Sequence, residues 1–551
     1  MKEIYKLLQI ISLVYIGHFS AFSQLPQSPA SVLSPNAASL ELYGDVPVSY
    51  YTGVPEISIP LYNISCYNFQ LPISLSYHAS GVRPDQRPGW VGLGWSLNAG
   101  GVITRTVNAM SDETNDPSYD SKKGFYFKYS VLNHLSWNQR MYLRQIAQSQ
   151  QDDGYGPQDT APDEFSFNFA GYSGKFYMTH TGTWAVKCDK PVKVIFDNTF
   201  LNIPIKRDPA EGRSPFSPSF SGFTIITEDG TEYIFGGDTS SIEYSIDFFL
   251  QAGDKWIATA WYLKKIILPN KQEVNFTYER GDYINQMYIA VHQDLGTFTE
   301  EPDKFWSVDK GCSSASFSTD LRRFYQGSLI APVYLKEVKT NNTVVTFDRS
   351  QSTELKYNQN IYDWKHTEWS YSTPMFLYLK SKDGYSYPGC LNNLKWYKLD
   401  KITVKNIHNI AIKTIDFTYN NLATERLMLM SVSDQNKKTY TFEYDEAQNL
   451  PPYLANKTDH WGFYNGTYAY LSDVDYYYSY RNPNAAYLKY GTMNKMTYPT
   501  GGYTEFEFEP HRYRKQLKLK RWEGCDPELP TNNLAGGLRI KQIKTTHLQG
   551  L

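Results

Sequence analysis

Phe223-Thr224-Ile225-Ile226-Thr227, then Glu228-Asp229-Gly230, then Thr231-Glu232-Tyr233-Ile234-Phe235 is the stretch that decides the fold. Apolar and polar residues alternate with period two on both sides of an Asp-Gly pair, which suits a turn needing positive φ. The pattern is that of a β-hairpin. A second one lies upstream: Phe165, Phe167 and Phe169 alternate, Gly171 to Gly174 turn, and Lys175 to Met178 return.

Downstream the same logic repeats as a loose unit. An apolar residue is followed three later by another, then a turn, then an alternating strand ending in an aromatic. Leu263 and Ile266 lead to Val274, Phe276 and Tyr278; Leu335 and Val338 lead to Val345 and Phe347. Leu399 and Ile402 lead to Ile415, Phe417 and Tyr419; Leu429 and Val432 lead to Tyr440, Phe442 and Tyr444. Asn494 and Met496 lead, less regularly, to Thr504, Phe506 and Phe508. Spacing between units varies, so this is no strict solenoid period. Hairpins apolar on one face must lie edge to edge to close a core. The expected class is all-β: successive antiparallel hairpins forming a large curved sheet or partial β-shell, with one short helical insertion. Gly536, Gly537, Leu538, Ile540 and Ile543 begin one more unit whose return strand is not in the sequence. The chain therefore reads as a fragment or truncated relative of something longer, because an unpaired strand is an exposed edge.

Composition agrees with this class. The 551 residues include 46 Tyr, 29 Phe and 12 Trp, types that favour pleated, half-buried surfaces. A mean hydropathy of -0.50 excludes a membrane bundle, and 41% hydrophobic residues exclude a disordered tail. A net charge of -2 gives no bulk attraction to nucleic acid or anionic lipid. Five scattered cysteines, Cys66, Cys188, Cys312, Cys390 and Cys525, have neither CxxC nor zinc-finger spacing and read as mostly free.

The N-terminus supplies an address. Lys2 and Lys6 precede an apolar run from Leu7 to Phe22, and Ala21 and Ser23 stand at -3 and -1 before Gln24. That is a secretory signal pattern over residues 1–23, cleaved after Ser23. No Cys stands at the cleavage site, which argues against a lipoprotein anchor, and no later segment is long and apolar enough to span a membrane. The expected destination is the periplasm, cell surface or exterior. Three segments follow: 24–110, which opens with a Pro/Ser-rich linker; 111–255, with helix expected over Val131 to Gln150 and a polar loop from Gln148 to Asp163; and the hairpin series of 256–551. Asp152-Asp153-Gly154 in that loop lacks a full calcium-loop spacing and reads as solvated.

Three blocks carry a resemblance: Gly53 to Leu61, Leu71 to Tyr77, and Gly92-Leu93-Gly94-Trp95 running on to Asn98-Ala99-Gly100-Gly101. With Asp163 to Phe176, Asp459 to Gly466 and Tyr498 to Tyr503, they resemble the N-terminal region of Rhs/YD-repeat proteins of the Bacteroidetes type. More distantly the chain is similar to the B component of ABC-type insecticidal toxins. The resemblance implies a β-sheet shell wound from hairpins, often closed around a C-terminal toxin or effector. It also implies a separately encoded shell or effector protein as partner. The chain departs from the pattern in lacking a long YD array, the core region that ends the shell, and an effector. Read from the residues alone, Gly92 and Gly94 permit close backbone approach beside Trp95, and Gly100 and Gly101 form the turn into Val102 to Thr106.

Chemistry is sparse. No GxGxxG or GxxxxGK[ST] motif supports a phosphate loop. Ser173, between Gly171 and Gly174, lies in a hairpin and not in a nucleophile elbow. The ten His include no HExxH and no pair at zinc-ligand spacing. His460, between Asp459 and Trp461, reads as an aromatic structural corner with Trp461, because adjacent residues of a strand point to opposite faces. Tyr476, Tyr477, Tyr478 and Tyr480 offer flat faces to a sugar ring, against a blander role as half-buried loop residues. Arg512, Arg514, Lys515, Lys518, Lys520 and Arg521 read as a solvated strand face and not as a polyanion site. No catalytic residue, cofactor or metal is expected. The leading expectation is a secreted, non-enzymatic scaffold; a glycan- or surface-binding module and a hydrolase with a carboxylate pair formed only in space are the alternatives.

Overall fold

The computed structural model describes residues 52–116, 121–122, 124–129, 159, 161–205, 218–248, 255–293, 321–358, 394–470, 477–515 and 533–546. The signal pattern, the linker, the helix expected over 131–150, Asp152 to Gly154, Lys518 to Arg521, Tyr476, Cys312, Cys390 and Cys525 lie outside the described residues. Within them the protein is all-β, built on a sheet of 21 strands, with a separate three-stranded sheet. The described α-helices are single turns, Phe125–Lys128 and Tyr477–Tyr480, and Thr239–Ser241 and Ala447–Asn449 are short 3-10 turns.

Both hairpins read from the sequence form, Glu164–Phe169 with Tyr172–Met178, and Gly222–Thr227 with Glu232–Gly236. The large sheet is two ladders sharing one long strand, Ile257–Ile267. Its first half pairs with Ile242–Asp247 and Gly101–Thr106; its second half pairs with Glu232–Gly236 and Glu273–Arg280. Gly101–Thr106 also pairs with Glu164–Phe169, so the three sequence segments are knit into one ladder.

The hairpin series lies edge to edge, as its apolar faces require. The strand ending each hairpin pairs with the strand opening the next: Glu273–Arg280 with Val333–Lys339, Thr343–Gln351 with Tyr397–Asn406, Ala411–Tyr419 with Leu429–Asp434, Thr439–Tyr444 with Met493–Thr497, and Tyr503–Arg512 with Leu534–Thr546. Every one of these junctions carries a β-bulge at the same place. Tyr278 faces Leu335, Arg349 faces Leu399, Tyr419 faces Leu429, Tyr444 faces Met493 and Phe508 faces Ile540, and the residue that follows in each opening strand is skipped. The skipped residues are Lys336, Asp400, Met430, Asn494 and Lys541. This explains the apolar spacing of three. In a regular strand residues i and i+3 face opposite sides, and one inserted residue returns both to the core. Leu399 with Ile402, and Leu429 with Val432, are accordingly buried pairs, while Met430 is 38% exposed. In the fifth unit the inward pair is Met493 and Met496, not Asn494 and Met496, because Asn494 is the skipped residue.

The terminal aromatic has a second role. Tyr278 Oη donates to Leu263 O at 2.7 Å, Tyr419 Oη to Leu399 O at 2.8 Å and Tyr444 Oη to Leu429 O at 2.6 Å. Each tyrosine thus satisfies the carbonyl of its own unit's first leucine. Burial pushes all three phenols up, so they stay protonated donors.

Candidate functional site

The three-stranded sheet pairs Ile57–Cys66 with Phe69–Tyr77, and that strand with Trp95–Asn98. The chain between Tyr77 and Trp95 is a strap laid over the row of bulges. Leu399 N donates to Trp90 O at 2.8 Å, Leu93 N to Leu427 O at 2.8 Å and Leu538 N to Ser80 O at 2.8 Å. Ile540 N reaches Gly53 O at 2.8 Å just upstream, and Met493 N donates to Tyr77 Oη at 2.8 Å. The N-terminal segment therefore binds the opening strands of three hairpins, and the chain two residues before a fourth, Leu429–Asp434. It does so at or within two residues of the bulges, where backbone groups are left to be satisfied.

The Gly-Leu-Gly-Trp block is the centre of this junction. Gly92 has φ +95°, and a Cβ there would stand 2.9 Å from Leu429 N; Gly94 has φ +77°, and its Cβ would stand 2.6 Å from the Tyr77 ring. Both positions thus need glycine for conformation and for space. Trp95 is fully buried, packs on Tyr77 and Phe442 with ring centroids 5.1 and 4.7 Å apart, and donates from Nε1 to Tyr444 Oη at 2.8 Å. Gly100 and Gly101 carry the chain from the small sheet into the large one. A Cβ on Gly101 would lie 2.4 Å from Phe169 Cβ.

Two ionic clusters are buried here, one built on Arg87 within the strap and one on Arg105 in the strand that follows; neither has a spacing motif, because Glu354 and Asp163 come from segments far along the chain. In the first, the Arg87 guanidinium lies 3.7 Å from the centroid of Trp396 and 4.8 Å from that of Tyr453, and pairs with Glu354 at 3.2 Å. Glu354 also accepts from Leu427 N, and Arg426 donates to Pro451 O and Pro84 O. In the second, Arg105 donates from Nη1 to Glu113 at 2.8 Å and from Nε to Asp163 at 2.7 Å. Asp163 accepts from the backbone of Asn108 and Asp112, and Asp159 from that of Phe125 and Ala161. Burial works against the Arg105 charge, but Asp163 and Glu113 outweigh it and raise its pKa. Burial, then the Asp163 charge, raises Asp112 well above the usual carboxylate range and Asp159 to about 7. Asp112 and Asp159 thus hold their protons to higher pH than an exposed carboxyl does.

The remaining sequence candidates do not converge on this junction. His460 and Trp461 sit in a turn, not a strand, and both are exposed, Trp461 at 44%. The residues that build that corner are Asp459 and Phe463, both buried: Asp459 Oδ1 accepts from Trp461 N at 2.8 Å and Phe463 N at 2.9 Å. Tyr477, Tyr478 and Tyr480 lie on the helical turn; Tyr480 is half-buried, with its ring 5.8 Å from that of Tyr470, which is 54% exposed. Ser173 lies within its strand, and Arg512, Arg514 and Lys515 are exposed. Cys66 and Cys188 are free. Among the described residues no group of three His, Cys, Asp or Glu is placed to hold a metal.

No protein-family model matches the chain, and no curated protein matches it. Three solved structures are similar to parts of the chain. The TcdB2-TccC3-Cdc42 structure aligns at TM-score 0.28 and 10% identity, over 71% of this chain and 16% of that chain. The Photorhabdus luminescens Tc holotoxin pore aligns at 0.29 and 11%, over 72% and 16%. The N-terminal domain of effector protein SpvB from Salmonella typhimurium strain LT2 aligns at 0.27 and 10%, over 69% of this chain and 98% of that one. The chain thus spans about a sixth of the two toxin chains. Likeness at these scores carries no weight here, and the fold stands on the chain's own strand pairing.

Proposed function

We propose that the chain is an exported, non-enzymatic β-shell segment of the Rhs/YD-repeat type, a scaffold or enclosing surface for a separately encoded shell or effector protein. The observation that supports this best is the repeated junction. One bulge rule joins each hairpin to the next, which makes a wall that grows by addition of units, and the N-terminal strap ties four units together. Export rests on the Lys2-to-Ser23 signal pattern. No helix among the described residues is long and apolar enough to cross a membrane. The test is expression with the native N-terminus in an export-competent bacterium, fractionation, and mass spectrometry of the product. The expected product leaves the cytoplasm, begins at Gln24, and turns over none of a panel of glycosidase, esterase and peptidase substrates. A cytoplasmic product retaining Met1, or a turnover lost on substituting one carboxylate pair, contradicts the proposal.

A second role, glycan binding, draws on one feature. Tyr470 is exposed beside Tyr468 and Tyr480, with ring centroids 4.9 and 5.8 Å away. A glycan array with wild type and Tyr470→Ala tests it. Loss of a specific signal in the variant supports the role, and a blank array contradicts it.

A further inference from the structure

The turn joining Tyr397–Asn406 to Ala411–Tyr419 carries apolar residues where polar ones are usual. Asn406 and Asn409, the latter at φ +61°, supply the expected turn chemistry, yet Ile407 between them is 63% exposed, Ile410 is 60% exposed, and Ile412 in the following strand is 46% exposed. The turn is also tightly organised. Asn406 Oδ1 accepts from His408 N and Ile410 N, both at 3.0 Å, and Asn409 N donates to Asn406 O at 3.0 Å. Ile407 and Ile410 are thus held outward on a fixed tip, and Ile412 is exposed beside them at the start of the next strand. A local rule broken without gain to the fold points to function.

The surroundings indicate what meets the tip. The neighbouring hairpin turn bonds directly to it, Gln435 Nε2 to Ile412 O at 3.2 Å and Gln435 N to Thr414 O at 3.1 Å. That turn presents Lys437 and Lys438, both exposed, and Lys405 and Lys413 flank the isoleucines on their own hairpin. The two turns carry four lysines against one carboxylate, Asp434, whose Oδ1 accepts from Asn436 N and Lys438 N; Lys413 donates from Nζ to Leu61 O at 2.7 Å, which leaves Lys405, Lys437 and Lys438 as the basic cluster. The local charge is positive although the whole chain carries -2.

We propose that this hairpin rim docks on an anionic lipid surface, the isoleucines entering the acyl boundary and the lysines meeting the headgroups. A projecting tip needs no complementary groove in a bilayer. Three side chains also fall well short of the ~800 Å² per partner of a standard protein interface. Apolar insertion beside a basic cluster is the combination that binds anionic membranes reversibly.

The test is co-sedimentation of the purified full chain with vesicles of phosphatidylcholine alone and of phosphatidylcholine with phosphatidylglycerol, at two salt concentrations. Wild type and variants are made in the same background, so that any retained apolar N-terminus contributes equally. Wild type is expected to bind the anionic vesicles, more weakly at high salt. Ile407→Asn with Ile410→Asn should lower the partition coefficient at least about tenfold, and Lys437→Gln with Lys438→Gln should lower it severalfold and flatten the salt dependence. An unchanged thermal transition establishes that the variants fold, as exposed-tip changes should allow. Equal binding to both vesicle types, equal binding by the isoleucine variant, or no binding by wild type would overturn the proposal; the last is the result expected of a tip built for a protein partner.

Discussion

Trp95 joins the strap to the hairpins by packing and by one hydrogen bond, and the two contributions separate by mutation. Trp95→Ala should cost roughly 3–5 kcal/mol, read from the denaturant midpoint, as buried aromatic truncations do. Tyr444→Phe keeps the packing but removes the hydroxyl that accepts from Trp95 and donates to Leu429 O. Leaving both groups unsatisfied should cost about 1–3 kcal/mol. The buried carboxylates give a pH signature. Asp159 is raised to about 7, so the folded state holds a proton that the unfolded chain releases near pH 4. Its contribution is therefore complete at acid pH and is lost as pH rises from about 4 through 7, with Asp112 adding in the same direction. Asp159→Asn should flatten that decline by about 2–4 kcal/mol across the window, measured by urea unfolding at pH 5 and 8. A decline of unchanged size in the variant would mean that Asp159 is ionised in the native state. The glycines and Trp95 were legible in the sequence because their types are informative on their own. Arg87 and Glu354 were not, since a guanidinium and a partner 267 residues away leave no spacing to read; nor was the Arg105 cluster, where Glu113 is 8 residues away but Asp163 is 58.

At the scale of the element, the spacing of three was visible in the sequence, but its meaning depends on pairing. A period-two reading back from Val432 turns Met430 inward and Leu429 outward, and the bulge reverses both. Met430→Lys should therefore change stability by no more than about 0.5 kcal/mol, whereas Leu429→Ala should cost about 2–5 kcal/mol. The reverse order in chemical denaturation would mean that no bulge is present. In the fifth unit the same spacing of three picks out Met493 and Met496; the pair Asn494 and Met496 departs from that spacing, and Asn494 is the skipped residue. The Asp459 corner shows the limit of strand logic: alternation holds for strands, but this segment turns, so His460 and Trp461 are exposed and the corner is built by buried Asp459 and Phe463.

At the scale of the whole chain, hairpins stacked edge to edge were legible, because one-sided apolar strands have few other ways to bury their faces. The strap was not, since its bonds link residues around 53 and 77–93 to residues near 399, 427, 493 and 538–540, and turn-forming sequence says nothing of what a loop lies against. The strap also changes the expectation for the last strand, Leu534–Thr546. One edge pairs with Tyr503–Arg512, and the other is occupied at Leu538 and Ile540 by Ser80 and Gly53. Beyond Ile540 the strand is exposed, with Ile543 at 50%. The edge that sequence reading left wholly open is thus closed in its first part. Hydrogen exchange of the purified chain, wild type against Trp95→Ala, tests whether one N-terminal strap holds successive hairpins at their bulges. The amides of Leu399, Met493, Leu538 and Ile540 should be protected like the central strands in wild type, those of 541–546 should exchange faster, and Trp95→Ala should speed exchange at the four strap positions more than in the Gly222–Gly236 hairpin. Fast exchange at Leu399, Met493, Leu538 and Ile540 in wild type, at the rate of the exposed turns, would contradict the account.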